Sequence, residues 1–270
     1  MTASSRSAGE KAKDALRKQF DGITDPQGYV DWPQGNLIPG VRLDQFEADL
    51  RRGDGNELRM KFCAVHSSAA LAVNCFAPFK DRPGDITILD HRGAVNIEFE
   101  KPLKIFPERR PANLDVWIDK GDSAIAIESK LLEYLHPKAP EFAPAYDCLA
   151  PPMSDSSWWA AFMDAKKGTP RHLDRAQLLK HYFGLRHLQQ SQATPKKLTL
   201  LYLFWEPLNW PDVAECLQHR EEVNEFAEKV AGASIPFRWM TYPQLWQEWS
   251  GVPALREHAS HLNARYEVCI

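Results

Sequence analysis

Asn113-Leu114-Asp115-Val116-Trp117-Ile118-Asp119-Lys120-Gly121-Asp122-Ser123-Ala124-Ile125-Ala126-Ile127-Glu128-Ser129-Lys130-Leu131-Leu132-Glu133-Tyr134 reads as two strands joined by a tight turn. Successive side chains of a strand point to opposite faces. Leu114, Val116 and Ile118 therefore share one face, and Asp115, Trp117 and Asp119 the other. In the second strand Ile125, Ile127 and Leu131 lie opposite a face of Ala124, Ala126, Glu128 and Lys130. Gly121-Asp122 suits a two-residue loop, because glycine accepts positive φ without a Cβ clash. That loop pairs Lys120 with Ser123 and sets Asp115 opposite Glu128. A Lys120-Gly121 loop would set Asp115 opposite Ala126 and leave Glu128 a diagonal neighbour within reach. A three-residue loop would set Asp115 against Ile127 and mix the apolar and charged faces, so the register favours paired carboxylates.

Two carboxylates beside an ammonium group suit a hard divalent cation. Mg²⁺ is commonly held by one or two carboxylates, with water and substrate phosphate oxygens completing its shell. Such an ion polarises a phosphodiester and acidifies water, and Lys130 is placed to position or deprotonate that water and to offset developing charge. An isolated Glu-x-Lys is ordinarily a solvated strand face. Three such residues in register on adjacent strands point to chemistry.

Asp115, twelve residues, then Glu128-Ser129-Lys130 at the end of an apolar strand resembles the PD-(D/E)XK nuclease signature, with Asn113-Leu114 where the motif often has Pro before the Asp. The wider run Asn-Leu-Asp-Val, Ile-Glu-Ser-Lys, Glu-Tyr-Leu resembles a restriction-endonuclease-like bacterial branch of that superfamily. The resemblance implies hydrolysis of DNA phosphodiester bonds with Mg²⁺, or Mn²⁺ in its place. It implies that Asp115, Glu128 and the backbone carbonyl of Ser129 bind the metal and that Lys130 acts on water. Superfamily members often carry a supporting glutamate on the first helix, for which Glu57 is the nearest candidate, and a Gln or Lys on the helix after the Glu-x-Lys strand, for which Gln177 is the match. An RNA-directed nuclease and a non-catalytic nucleic-acid-binding or assembly subunit of the same fold are the alternatives. Within this class a homodimer is compatible with the sequence.

With 270 residues, 44% of them hydrophobic and 26% charged, the chain can bury one substantial core. Residues 1–40 read as an N-terminal extension and 41–270 as a single domain with an inserted loop at about 136–168. A net charge of −3 exerts no overall pull on nucleic acid, so phosphate contacts must come from local basic groups. Arg109, Arg110, Lys166, Lys167, Arg171 and Lys180 are the candidates. The scattered cysteines lack paired metal-ligand spacing, and with no apolar leader or bilayer-length apolar run a cytoplasmic location without membrane association is expected.

The remaining elements follow from periodicity and punctuation. Helices are expected over about 9–20, 43–50 and 57–76, the last rich in small residues. A strand follows over 96–106. After the hairpin, a Pro-rich segment over 137–156 reads as a lid or a substrate-binding insertion beside the cleft, with Trp158 as a further nucleic-acid contact. Thr169-Pro170 signals a helix start, and Gln177, Lys180, His181 and Gly184 form one stripe of that helix. A buried strand over 197–205, an acidic helix over 211–231, an edge strand over 235–240 and one or two terminal helices from Tyr242 complete the chain. The order matches the αβββαβ core that the resemblance implies: an α/β restriction-endonuclease-like fold, with a central mixed sheet flanked by helices, an N-terminal extension and C-terminal helices.

Overall fold

The structure is a computed structural model describing residues 6–52, 58, 60–89, 92–106, 108–151 and 154–270. Strands β1 (Asn96–Leu103), β2 (Ala112–Asp119), β3 (Ser123–Lys130), β4 (Lys197–Phe204) and β5 (Phe237–Thr241) form one sheet in that spatial order. The first three make an antiparallel meander, and β4 and β5 add in parallel. Parallel neighbours need a crossover. Helices α4 (Ser156–Ala165) and α5 (Arg175–Ser191) supply the one from β3 to β4, and α6 (Ala214–Lys229) the one from β4 to β5. Helices α1 (Ala8–Gln19), α2 (Glu47–Arg52) and α3 (Ser68–Phe76) precede the sheet, and α7 (Tyr242–Ser250) and α8 (Arg256–Tyr266) follow it. This is a restriction-endonuclease-like α/β fold.

The hairpin takes the expected register. Lys120 N–H donates to the Ser123 carbonyl at 2.9 Å, Gly121 sits at φ +87°, and pairs run from Asp119 with Ala124 to Val116 with Ile127. Ala124 to Ser129 are all buried, as a strand covered on both faces requires.

Three expectations are corrected. The helix expected over 57–76 is a 3₁₀ turn at Lys61–Cys63 followed by α3, which starts only at Ser68. Val30 N–H donates to Cys63 and Val65 N–H to Gly28, both at 2.9 Å, so residues 63–65 spend their backbone groups on pairing with another segment. Ser67 then caps α3 by accepting from Ala70 N–H at 3.2 Å. Next, α5 begins at Arg175 rather than Pro170. Arg171 is held extended by reciprocal backbone bonds with Lys138 at 2.8 and 3.1 Å, and Asp174 is the cap, accepting from Gln177 N–H at 3.0 Å. Finally, the inserted loop expected at about 136–168 contains α4. Trp158 is wholly buried there and stacks on Tyr182 with ring centroids 4.1 Å apart, so it is a core residue and not a nucleic-acid contact.

The N-terminal residues are built into the body. Ser7 and Glu10 form a capping box, Ala12 and Leu16 are buried, and the buried Asn36 donates to the carbonyls of Phe62 and Ala64 at 2.7 and 2.8 Å. Trp246 and Trp249 fill the core. Among the described residues, no helix is long and apolar enough to cross a membrane.

Helix α5 crosses β1 where Gly184 lets it approach. A Cβ at Gly184 would lie 2.6 Å from Leu103 Cβ and 3.4 Å from the Leu103 carbonyl. Overpacking costs ~1–3 kcal/mol against a helix-propensity gain of ~1 kcal/mol for alanine over glycine. Gly184→Ala is therefore expected to lower the urea midpoint, a net loss of ~1 kcal/mol. An unchanged or higher midpoint would show that this contact is slack.

Candidate active site

A cleft of about 700 Å³ opens over the carboxyl end of β3. Its floor is a row of side chains set by register. One step beyond the last pair, Val116 with Ile127, Asp115 comes beside Glu128. Glu128 is in turn level with Tyr202 on β4. On the other side, Phe99 pairs with Val116 and Lys101 with Leu114, so Glu100 falls across from Asp115. All four line the cleft. Glu100 has φ +50°, a conformation costing a non-glycine residue ~1–2 kcal/mol and one that concentrates at functional sites. At this kink β1 is pinned by the buried Asp49 of α2, which accepts from Phe99 N–H at 3.1 Å.

Asp115 Oδ2 accepts from Ser129 N–H at 2.6 Å. Carbonyls of Asp122 and Lys130 bond to Lys197 and Trp205 on the β4 side. By the alternation of strand backbone groups, the Ser129 carbonyl points the other way, to the side occupied by Asp115. Glu128 is buried to 1% exposure. Its Oε1 accepts from Lys130 Nζ and its Oε2 from His181 Nε2, each at 2.5 Å. Gln177 contacts the same imidazole nitrogen at 3.0 Å. A carboxylate only accepts, so Nε2 carries the proton that it gives to Glu128. The structure sets the Gln177 amide nitrogen at this distance; two N–H groups cannot bond each other, so the amide is assigned flipped, with its oxygen toward His181.

Burial pushes the Asp115 carboxyl well above the ordinary carboxylate range, and the neighbouring charge of Glu128 adds to this. Burial would raise Glu128 as well, but Lys130 and His181 outweigh it and hold that carboxyl low. For Lys130, burial favours the neutral amine, yet Glu128, Glu133 and Asp115 prevail and keep it charged. The two neighbouring carboxyls are thus driven apart, Glu128 toward the ionised form and Asp115 toward the protonated one, as close like charges require. The donor set is a hard one of two carboxylates and a carbonyl on one side of the sheet, which fits Mg²⁺ or Mn²⁺. Among the described residues no three His, Cys, Asp or Glu side chains converge as a metal-binding group.

The other candidates fall in several places. Gln177 lines the cleft, and Glu57 lies outside the described residues. Arg109 and Arg110 border a separate hollow with Phe106 and Tyr146. Lys166 is paired with Asp147, Lys167 with Asp164 at 3.1 Å, and Arg171 with Glu222 and Glu225 at 3.7 and 3.4 Å. Lys180 lies over the Phe142 ring at 5.9 Å. None of these six basic residues lines the cleft, whereas Lys61 and Lys138 do.

A family model described as Restriction Endonuclease associating with ARP (REase-ARP) matches residues 5–267. The chain belongs to the REase-ARP family. It is thereby placed among restriction-endonuclease-like proteins over nearly its whole length. No curated protein and no solved structure matches it.

In this REase-ARP member the cleft also contains groups that the sequence did not single out. Glu133 turns its carboxylate back onto the N–H groups of Leu131 and Leu132 at 2.9 and 3.0 Å, fixing the bend after Lys130. His181 was legible as part of the α5 stripe, four residues after Gln177, but nothing local ties it to Glu128. Glu100 was not findable, because the long β1–β2 connection leaves the register between those strands open.

Proposed function

We propose that the protein is a metal-dependent nuclease of PD-(D/E)XK type that hydrolyses phosphodiester bonds in DNA. The observation that carries this reading is the convergence of Asp115, Glu128 and Lys130 at the floor of one cleft, in register across β2 and β3, in a chain of a restriction-endonuclease family. Asp115, Glu128 and the Ser129 carbonyl would hold Mg²⁺ or Mn²⁺. That cation supplies Lewis-acid polarisation of the phosphodiester and acidifies water.

The protein groups divide the remaining work. Lys130, kept charged by its acidic neighbours, donates to the attacking oxygen or a non-bridging phosphate oxygen and offsets the charge that builds on phosphorus. As an ammonium it orients water and does not take its proton. His181 and Gln177 fix the rotamer of Glu128 from behind, in the way partners of metal ligands do. The family description also names association with ARP, and we propose such a protein as the physiological partner.

The test is cleavage of labelled plasmid, single-stranded DNA and RNA in Mg²⁺ or Mn²⁺, with chelator as control. The expected result is cation-dependent cutting of DNA that Lys130→Ala removes. RNA cut in preference to DNA would reassign the substrate. Salt-sensitive binding with no cleavage under any cation would make the protein a binding subunit of the same fold.

A further inference from the structure

His172 lines the cleft. It is buried to 7% exposure, and its backbone is held on both sides: Arg171 pairs with Lys138, and Leu173 N–H donates to Glu222 at 2.8 Å. The ring's Nδ1 lies 2.6 Å from the Tyr134 carbonyl oxygen. A carbonyl can only accept, so Nδ1 must carry a proton. The other ring nitrogen, Nε2, has no hydrogen-bond partner among the described residues. A histidine so deeply buried, anchored through Nδ1 and lining a cleft, is a binding group rather than a packing one.

We infer that His172 Nε2 is a backbone-phosphate contact, which together with Lys138, also in the cleft lining, holds the strand entering the reaction centre. This rests on reading the cleft as a nuclease site. With Nδ1 already protonated against Tyr134, donation from Nε2 makes the ring an imidazolium. The proton comes from solvent as the phosphate docks. Lys138, 62% exposed at its side chain and only loosely paired with Asp174 at 3.5 Å, can swing to the same phosphate. The pair would add positive charge above a floor where carboxylates outnumber Lys130, and phosphate contacts of this kind position a nucleic acid without reading its sequence.

Fluorescence anisotropy with labelled single- and double-stranded oligonucleotides in Ca²⁺ tests this, using His172→Asn and His172→Gln and cleavage in Mg²⁺ as a separate readout. Asn retains a donor for the Tyr134 carbonyl but lacks the distal nitrogen, so binding should weaken by about tenfold or more at an unchanged thermal midpoint. Gln, with its amide nearer the position of Nε2, should lose less. Replacing single phosphates by neutral methylphosphonates should reveal one position where the wild type loses affinity and His172→Asn loses no more. Additive losses at every position, or unchanged affinity in His172→Asn with Asp115-dependent cleavage intact, would overturn the assignment of His172 and leave the nuclease reading standing. Binding that depends on His172, with no cation-dependent cleavage, would overturn the nuclease reading alone. Absence of any binding by the wild type would overturn both.

Discussion

Asp115→Asn is expected to abolish cation-dependent cleavage, a loss on the order of 10³-fold or more, while leaving the thermal midpoint at or above that of the wild type. A 10³-fold loss corresponds to ~4 kcal/mol of transition-state stabilisation, the scale expected when a metal ligand is lost. The stability half of the expectation comes from the same carboxyl. Asp115 is held against burial and against the charge of Glu128, so its folded pKa lies above its unfolded one. The folded state therefore binds the extra proton, and without metal the stability of the wild type falls as pH rises from the ordinary carboxylate range through the raised value. Asn still accepts from Ser129 N–H through its amide oxygen, carries no charge, and should remove that fall. Urea midpoints of both proteins in chelator, at several pH values, measure it. A variant less stable than wild type at neutral pH would contradict the electrostatic picture.

Glu128→Ala should behave in the opposite way and cost ~3–5 kcal/mol of stability, the usual penalty for removing one partner of a buried ion pair. The carboxylate is the shared acceptor for Lys130 and His181. His181 is fully buried and its Nδ1 already lacks a partner. Removing Glu128 strands the Lys130 ammonium and leaves His181 without partners beyond Gln177. The change reads out as a large drop in denaturant midpoint, alongside loss of cleavage. A midpoint within experimental error of the wild type would mean that this network contributes little to the fold. The two carboxylates, equivalent in a motif, thus separate in their energetics: one strains the metal-free site and the other anchors it.

What could be read from the chain divides along physical lines. The hairpin was legible because strict alternation leaves only the even-length loops, each of which keeps Glu128 within reach of Asp115, and the structure takes the Gly121-Asp122 one. The helix-sheet order was legible on other grounds: β4 is a short unbroken apolar run and α6 a long acidic helical segment. The start of α5 was misread because Thr169-Pro170 is a sound local cap that loses to the pairing of Arg171 with Lys138, a tertiary effect with no local trace. Trp158 was misread because an aromatic after a Pro-rich segment resembles a stacking group until Tyr182 is seen lying flat against it. His172 and Glu100 could not be found because each owes its place to a distant segment. His172 depends on the Tyr134 carbonyl, and Glu100 on a strand register fixed through β2.

The most direct measurement of the central claim is anomalous diffraction from crystals equilibrated with Mn²⁺. The expected result is a peak between the Asp115 and Glu128 carboxylates, within coordination distance of the Ser129 carbonyl and absent from crystals of Asp115→Asn. A saturating Mn²⁺ soak that leaves this position empty, or that places the ion away from both carboxylates, would contradict the assignment of this cleft as a metal-dependent nuclease site.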